Sequence, residues 1–433
     1  MEQVNNRTRE QIGVELQIDF IDSDERGLLK YLTEQTEADL ICVSDIQDKV
    51  NKNMLLPLDE LIREEGEAIA QVIEPEYLEL GKVDGVQYAV ALNRDMAEAY
   101  GVSMRQDLLE KYEIDWTQIQ TWDDFEDVLE IITKKEPIYG VGADTLRPFD
   151  RLGNYLGVLM SDEEEMKVVN YYETEEFYDW ISRIRSWKEK GYLYEKEALS
   201  YKSMNSRPML YELVKEGELF SYIVKYKPGI DAQESKSTGR KLVTVMLEEP
   251  VMTTESSVAS QYGIYSGSRH PKEAMKMLNF LYEDEAVANL LCWGIEGEHY
   301  QKNEDGTISY PEGKGENEIG YNFNLNWVLP NPYLAYAWEG DSLNLEEELE
   351  EFNKTAKKSP ALGFVFDETE VSIECEVCEE IVEQYLSGFL CGAFEIDKML
   401  PKMIQELEEG GIELIIQEKQ RQLDEWKENK NHS

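Results

Sequence analysis

The sequence predicts an α/β protein of several domains with a helical C-terminal region. Apolar runs with the length of strands alternate with helical patterns along the first two thirds of the chain, which is typical of α/β layers and favours parallel sheets. The 433 residues are too many for one compact core, since a domain usually has about 100–200 residues. Beyond residue 343 nearly every segment has the apolar spacing of a helix.

The composition excludes several classes of partner. The chain has 43 basic and 90 acidic residues, and its net charge of −47 would repel nucleic acids and anionic membrane surfaces. It has no apolar run near the roughly 20 residues that span a bilayer. Three histidines and five cysteines are a poor basis for a metal site, a histidine-dependent triad or a disulfide scaffold. We therefore expect no nucleic-acid partner, no metal and no cofactor.

The first part of the chain contains clear element signals. An opening helix is followed by a predicted strand at 14–20. The continuous apolar run at 38–45 predicts a strand that is buried on both faces. The helical stretch after it is interrupted at Pro57 and ends at Gly66. The Asp-Gly pair at 84–85 predicts the turn of a hairpin.

The middle of the chain continues the alternation of helices and strands. Thr121 and Asp124 form a predicted capping box for a helix that runs to Ile132. An amphipathic helix is predicted at 174–191, and another begins at Pro271. Buried strands are predicted at 138–144, 219–226 and 241–247.

The last part is predicted to consist of helices at 344–354, 371–390, 398–408 and 412–427. Cys375 and Cys378 have the spacing of a redox motif or of half a zinc site. They fall on the apolar stripe of the second of these helices, however, and no further pair of ligands completes a zinc site. We predict that both cysteines are core residues.

Residues 301–312 resemble a calcium-binding loop, because oxygen donors stand at positions 3, 5 and 12 of the segment and a glycine stands at position 6. Gln301 stands where such a loop has its first aspartate. Asp305 and Gly306 fit the turn of a hairpin more simply. We predict a hairpin and leave a calcium site as the alternative.

Aromatic residues at the ends of elements are the most suggestive candidates for a binding site. Four of them stand near a glycine or proline where a strand or helix gives way to a loop: Tyr226, Tyr262, Trp293 and Trp327. Aromatic faces at such places suit ligands with flat apolar surfaces, including sugar rings. Packing in the core is the alternative for each of them.

Two blocks in the first hundred residues carry a resemblance to a known family. Asp39-Leu40 precedes the helix start at 58–61, and a hairpin with Gly81-Lys82, Gly85 and Tyr88 follows. Together with the predicted helix that begins at the capping box, these blocks resemble the extracellular solute-binding proteins of ABC importers, family 1, of the oligosaccharide-binding type. Residues 263–313 closely resemble a subgroup of Gram-positive lipoproteins. The helical C-terminal region resembles that of the same subgroup, in which its function is unassigned.

The resemblance implies a two-lobed, periplasmic-binding-protein-like fold of type II, with a hinge and the helical C-terminal region. We expect lobe 1 to contain 1–115 and 262–322, and lobe 2 to contain 116–261 and 323–400. The helices of 401–433 would pack on the lobes. Members of the family begin with a signal peptide, a lipid-modified cysteine and a first strand. Because this chain starts inside the opening helix, we expect a lipid anchor upstream of it.

The function that the resemblance implies is ligand capture without chemistry. We expect an extracellular, cell-surface monomer that captures a small solute, above all an oligosaccharide, by hinge closure and delivers it to the membrane permease of an ABC importer. No residue would be catalytic. By analogy with the fold, ligand contacts lie in loops at the carboxyl ends of strands. The predicted contacts are Asp45, Tyr88, Asn93, Arg147, Phe149, Tyr226, Tyr262, Trp293 and Trp327.

Two alternatives to an importer component stay open. A secreted or surface carbohydrate-active enzyme of the glycoside hydrolase kind would need two carboxylates about 5–10 Å apart, and 90 acidic residues offer many candidates. A ligand-sensing protein would pass its closed state to a membrane receptor instead of a permease. A peptide is the alternative to a sugar as the ligand.

Overall fold

The computed structural model of the protein describes residues 1–21, 25–34, 38–44, 46–143, 148–194, 207–257, 260–315, 318–321 and 328–432. Three of the predicted ligand contacts, Asp45, Arg147 and Trp327, lie outside these residues. Helices and short strands alternate along the described part of the chain, as the α/β class requires.

The helices are numbered in chain order. They are α1 (Glu2–Gln11), α2 (Glu25–Glu34), α3 (Ile46–Asn51), α4 (Asp59–Glu65), α5 (Glu67–Val72), α6 (Pro75–Glu79), α7 (Gln106–Lys111), α8 (Trp122–Lys135), α9 (Glu175–Glu189), α10 (Arg207–Glu216), α11 (Ile230–Thr238), α12 (Thr254–Ser257), α13 (Pro271–Glu283), α14 (Glu285–Cys292), α15 (Leu345–Thr355), α16 (Ser372–Leu390), α17 (Ile396–Gly410) and α18 (Ile412–His432). Short 3-10 helices lie at Trp116–Gln118, Tyr171–Glu173, Pro332–Leu334 and Thr369–Val371.

The strands are short and fall into several small sheets. They are β1 (Leu40–Val43), β2 (Lys82–Val83), β3 (Val86–Gln87), β4 (Ala89–Ala91), β5 (Ala99–Arg105), β6 (Tyr139–Gly142), β7 (Leu219–Tyr226), β8 (Leu242–Met246), β9 (Val251–Met252), β10 (Gln261–Ile264), β11 (Gln301–Lys302), β12 (Ile308–Ser309) and β13 (Lys357–Lys358).

The chain divides into two compact units. The first unit contains Met1–Met96 and Glu255–Glu350, and the second contains Ala97–Thr254 and Glu351–Ser433. The second unit starts at Ala97, whereas lobe 2 was predicted to start at residue 116. The difference arises because β5 pairs with β7 and β8 of the second unit. The last two helices belong to the second unit, since their apolar residues share a core with α9 and α16.

The main sheet of the first unit has the strand order β1-β10-β4, and both pairs are antiparallel. This antiparallel pairing differs from the expected parallel sheet. The chain leaves this unit after β4 and returns only before β10, so no local crossover connection fixes the direction of β10 relative to its neighbours. β1 exposes Cys42 between the buried Ile41 and Val43. The prediction that this strand is buried on both faces is therefore wrong.

Residues 14–20 form no strand, so that prediction is also wrong. Val14, Leu16 and Ile18 pack against the apolar cluster built by α1, α13 and α14. The backbone N–H of Leu16 donates to Asn5 Oδ1 at 2.7 Å. Side-chain packing and this hydrogen bond hold the segment. No strand in the described part of the chain pairs with it.

The main sheet of the second unit has the order β6-β7-β5-β8. β6 and β7 are parallel, whereas β5 is antiparallel to both β7 and β8. The strands predicted near 138–144, 219–226 and 241–247 are confirmed, but β8 is mostly half-buried and exposes Met246, so its predicted burial is wrong. The predicted apolar stripes of α8 and α9 are buried in the core that includes this sheet.

Helix α16 extends this core with the predicted stripe. Cys375 and Cys378 are buried, and both belong to the same cluster as Phe177 of α9. The rings of Phe177 and Phe389 meet edge to face with centroids 6.3 Å apart. The prediction that the two cysteines are core residues is confirmed.

Two predicted hairpins are confirmed. β2 and β3 are joined by Asp84 and Gly85, with φ values of 50° and 79°, which is the left-handed pair that a type I′ turn requires. β11 and β12 are antiparallel, and Gly306 between them has a φ of 94°. The second hairpin occupies the segment that imitates a calcium loop.

Candidate ligand-binding site

Two predicted contacts of the second unit follow its parallel strands in the chain. Because β6 and β7 are parallel, their carboxyl ends lie at the same edge. Phe149 lies in the segment that follows β6, and Tyr226 is the last residue of β7. Ligands of open α/β sheets bind outside such carboxyl ends. The strand directions thus agree with a common role for these two aromatic residues.

Tyr226 is half-buried at this edge. It stands opposite Ala99 of β5, and its ring centroid lies 6.1 Å from that of Phe352. Next to it, Lys225 Nζ donates to Glu98 Oε1 at 2.7 Å. The ring is therefore supported by α15 while part of it stays exposed to solvent.

Phe149 is also half-buried, and it packs on an apolar cluster that includes Leu159 and Leu423. Beside it, Asp150 and Leu159 exchange backbone hydrogen bonds of 3.0 and 2.8 Å. The buried Asp150 carboxylate accepts from the N–H of Leu152 through Oδ1 at 2.8 Å, and burial raises its pKa. Phe149 therefore starts a segment whose backbone is fixed by local contacts.

The first unit brings Asn93 and Tyr262 to one segment of chain. The N–H of Asn93 donates to Pro330 O at 2.7 Å, and its Nδ2 donates to Asn331 Oδ1 at 3.1 Å. The hydroxyl of Tyr262 donates to Val328 O at 2.7 Å. Asn93 follows β4, and Tyr262 lies in the adjacent β10, so the two predicted contacts converge on this segment.

Asn331 connects this group to the core, although the sequence analysis did not single it out. The residue is buried, and its Nδ2 donates to Tyr282 O at 3.0 Å. The hydroxyl of Tyr282 donates in turn to Ala91 O at the end of β4. A satisfied buried network of this kind holds Asn93 in one position. The sequence did contain a signal for this residue, because Asn331 stands between Pro330 and Pro332. Two prolines so close together prevent a longer helix here.

Tyr262 and Tyr88 differ in their surroundings. Burial raises the pKa of the Tyr262 hydroxyl above its usual value, so it acts as a neutral donor. Tyr88 precedes β4, and Ala89 beside it pairs with Gly263 at the far end of β10. The structure therefore separates Tyr88 from Asn93 by the whole length of β4.

Trp293 lies in the core of the first unit. The relative exposure of the residue is 6%, and its ring centroid is 5.2 Å from that of Trp338. Its Nε1 is buried and has no hydrogen-bond partner in the described part of the chain. Such a placement gives the ring a packing role and leaves little of its face for a ligand.

Tyr333 is a further candidate that the sequence analysis missed. Its hydroxyl is buried and has no hydrogen-bond partner among the described residues. Burial, with the nearby charge of Asp95, raises its pKa, so the group stays protonated. Because a buried hydroxyl without a partner costs free energy, a ligand hydroxyl beside it would be stabilising. No sequence pattern marks a single tyrosine for this role.

The segment 301–312 uses its polar side chains within its own turn. The Asp305 carboxylate accepts from the N–H and the hydroxyl of Thr307 at 3.0 and 2.7 Å. In the described part of the chain, no group of three or more His, Cys, Asp or Glu side chains could hold a metal ion. No helix among the described residues is long and apolar enough to cross a membrane.

Comparison with known proteins identifies the family. Residues 9–288, more than half of the chain, match the family described as bacterial extracellular solute-binding protein. The chain belongs to this family of extracellular solute-binding proteins. Residues 360–428 match a domain of unknown function (DUF3502), which covers α16, α17 and most of α18.

Curated and solved relatives are similar to nearly the whole chain. A carbohydrate ABC transporter substrate-binding protein of Streptococcus pneumoniae serotype 4 is 25% identical over 446 residues, covering 98% of this chain and 87% of that protein. The structure of the N-glycan transport solute binding protein NgtS from S. pneumoniae has a TM-score of 0.84 at 21% identity, covering 99% of this chain and 95% of that one. The S. pneumoniae substrate-binding protein FusA in complex with kestose has a TM-score of 0.65 at 14% identity, covering 98% and 96%. The predicted fold class is confirmed, and these relatives are substrate-binding proteins.

Proposed function

We propose that this protein captures an oligosaccharide outside the cell and delivers it to the membrane permease of an ABC importer. The observation that carries the proposal is the match of residues 9–288 to the extracellular solute-binding proteins. The ligand class is supported by the carbohydrate transporter relative and by NgtS, whose structures include complexes with Man1GlcNAc and Man5GlcNAc.

Four of the predicted residues would contact the glycan in two ways. Phe149 and Tyr226 would stack on sugar rings, whereas Asn93 and Tyr262 would bond to sugar hydroxyls. Asp45, Arg147 and Trp327 stay predictions from the sequence. Tyr88 and Trp293 also stay predictions, although the separation of Tyr88 from Asn93 and the burial of Trp293 favour packing.

Hinge closure of the two lobes would hold the bound glycan. Shifting the lobes from 99% open to 99% closed requires about 5.5 kcal/mol of differential binding free energy. Each stacked ring and each satisfied hydroxyl supplies on the order of 1 kcal/mol, so the four contacts named above could provide most of it. No bond in the ligand would be broken.

The charge of the chain favours neutral glycans. A net charge of −47 disfavours acidic polysaccharides, although screening limits this repulsion to about 8 Å at physiological salt. Uncharged sugars are unaffected because they carry no charge. We place the monomer at the outer cell surface, held there by a lipid anchor, as the family resemblance implies.

A glycan panel tests this proposal. The purified protein is heated with Man1GlcNAc, Man5GlcNAc, kestose and an acidic oligosaccharide, and unfolding is followed by differential scanning fluorimetry. Because a ligand that binds only the folded state stabilises it, we expect a neutral glycan to raise the melting temperature by several degrees. A panel without any shift would contradict an oligosaccharide ligand.

Analysis of the glycans after incubation separates binding from hydrolysis. Mass spectrometry of the recovered glycan is expected to show the intact molecule after prolonged incubation. Shortened products that depend on the protein would instead support the glycoside hydrolase alternative, which needs a carboxylate pair at the site.

A further inference from the structure

A long segment of the second unit is held partly by its own hydrogen bonds and partly by the C-terminal helix. Residues 148–169 have no helix or strand, only the isolated bridges Asp150 to Leu159 and Val158 to Val169. Within them Leu152 and Met166 have φ values of 48° and 50°, although neither is a glycine. Residues other than glycine keep a left-handed backbone only where the surroundings enforce it. At Met166 these surroundings include Gln420 of α18, and at Leu152 they include the local Asp150 carboxylate and Leu423 of α18.

Polar side chains of α18 bind the backbone of this segment directly. Gln420 accepts from the N–H of Val168 through Oε1 at 2.8 Å, and its Nε2 donates to Met166 O at 3.2 Å. One side chain thus satisfies the carbonyl of the left-handed Met166 and the N–H two residues after it. These bonds join positions about 250 apart in sequence and fix the end of the segment against α18.

Lys419 fixes the middle of the segment from the same helix. Its side chain is fully buried, and Nζ donates to Asn154 Oδ1 at 2.7 Å and to Gly157 O at 2.9 Å. A Cβ atom at Gly157 would lie 3.4 Å from Ile416 and 3.5 Å from the Lys419 side chain, so helix and segment are in close contact here. A lysine without an acidic hydrogen-bond partner is rarely buried for stability alone.

Apolar packing completes the contact. Leu423 of α18 lies in one cluster with Leu152, Leu159 and Val168 of the segment, and Phe149 packs on the same cluster. The conformation of the residues next to Phe149 therefore depends on side chains from the domain of unknown function at 360–428.

We propose that α18 positions the Phe149 segment for ligand binding, with Gln420 and Lys419 as positioning residues. This gives the domain of unknown function a role as the support of one wall of the ligand site. The inference rests on the proposed function, because it takes Phe149 as a ligand contact. It deepens that function by assigning part of the affinity to residues that never touch the ligand.

The test compares Gln420→Met with Gln420→Glu and Gln405→Met. The first variant removes both bonds to the segment at nearly constant volume, and the second keeps the acceptor for Val168. Gln405 of α17 is the matched control, because its amide bonds only to Glu409 of its own helix. Two quantities are measured for each: amide hydrogen exchange of 148–169 without ligand, and affinity for Man5GlcNAc by calorimetry.

We expect Gln420→Met to raise the exchange rate of the segment about tenfold, as local opening becomes about 1.4 kcal/mol easier. Its affinity for Man5GlcNAc should fall about fivefold. Its melting temperature should fall by only a few degrees, because the same loss lowers the free energy of unfolding by about 1.4 kcal/mol. Gln420→Glu should recover slow exchange at Val168, and Gln405→Met should match the wild type in both measurements.

The remaining outcomes are decisive against one proposal or the other. Unchanged exchange in Gln420→Met, or faster exchange with unchanged affinity, would overturn the positioning role of α18. If the wild type binds neither Man5GlcNAc nor any other glycan of the panel, the proposed function fails. The exchange comparison, which uses no ligand, would still decide whether α18 holds the segment.

Discussion

Lys419 shows how a single buried residue can make stability depend on pH. Burial lowers the pKa of its amine from 10.5 to about 7, against the smaller opposing effects of Cys375, Asp150 and Glu368. The neutral amine has two N–H donors, which match its two acceptors on Asn154 and Gly157. The folded chain therefore favours the neutral form.

The sign of the pH effect follows from this shift. Between pH 7 and 10.5 the unfolded chain binds the proton that the folded chain releases, so the free energy of unfolding rises with pH. The slope is at most about 1.4 kcal/mol per pH unit. Denaturant unfolding of the wild type and of Lys419→Met at pH 7, 8 and 9 measures it.

We expect stability to rise with pH in the wild type relative to Lys419→Met. Comparison with Lys419→Met cancels the opposing effect of the Cys375 thiol, which both proteins share. Burial raises the pKa of this thiol from 9.0 to about 12, so its effect on stability begins to develop near pH 9. Equal slopes in the two proteins would show that the amine is charged in the folded state.

Other single residues were predictable to different degrees. Cys375 and Cys378 were assigned correctly to the core because a helical stripe is visible in the sequence. Trp293 could not be assigned, since a tryptophan before a glycine occurs both at loop mouths and in cores. Its partner Trp338 is 45 positions away in sequence, and only the fold brings their rings together.

At the scale of elements, the helix starts were the most predictable features. The capping box of α8 is complete: the N–H of Asp124 donates to Thr121 Oγ1 at 3.1 Å, and the N–H of Thr121 donates to Asp124 Oδ2 at 2.9 Å. Both partners lie within four residues, so local sequence determines the contact. The strand predicted at 14–20 failed because strand formation needs a distant partner, which local sequence does not reveal.

The capping box supports a measurable prediction. Thr121→Ala removes the hydroxyl that accepts from the N–H of Asp124 and donates to Asp124 Oδ2, whereas the bond from the Thr121 backbone N–H to Asp124 Oδ2 stays. The variant should lower the free energy of unfolding of the second unit by about 1 kcal/mol. Thr121→Ser keeps the hydroxyl and should stay within a few tenths of a kcal/mol of the wild type. Urea unfolding of the three proteins at one pH compares them. Equal stability of Thr121→Ala and the wild type would show that the cap contributes nothing.

At the scale of the whole molecule, the fold class was predictable and the limits of the units were not. The resemblance was carried by short blocks such as the hairpin at Gly81-Lys82 and Gly85, and the fold class that it implied is confirmed by solved relatives. The boundary after Met96 depends on the pairing of β5 with β7 and β8, which are more than 100 residues away. Pairing over such distances is set by the three-dimensional fold and leaves no local signal.

The central claim of the account is that one glycan binds per chain and that Asn93 and Tyr226 both contribute to its affinity. Calorimetric titration of the wild type, Asn93→Ala and Tyr226→Ala with the panel glycan that stabilises the protein most tests it directly. Tyr178→Ala is the control, because Tyr178 is exposed on α9. We predict one binding event per chain, weakened at least about tenfold, or 1.4 kcal/mol, by either variant and unchanged in the control. Binding that is lost in only one of the two variants, or two independent binding events, would contradict the account.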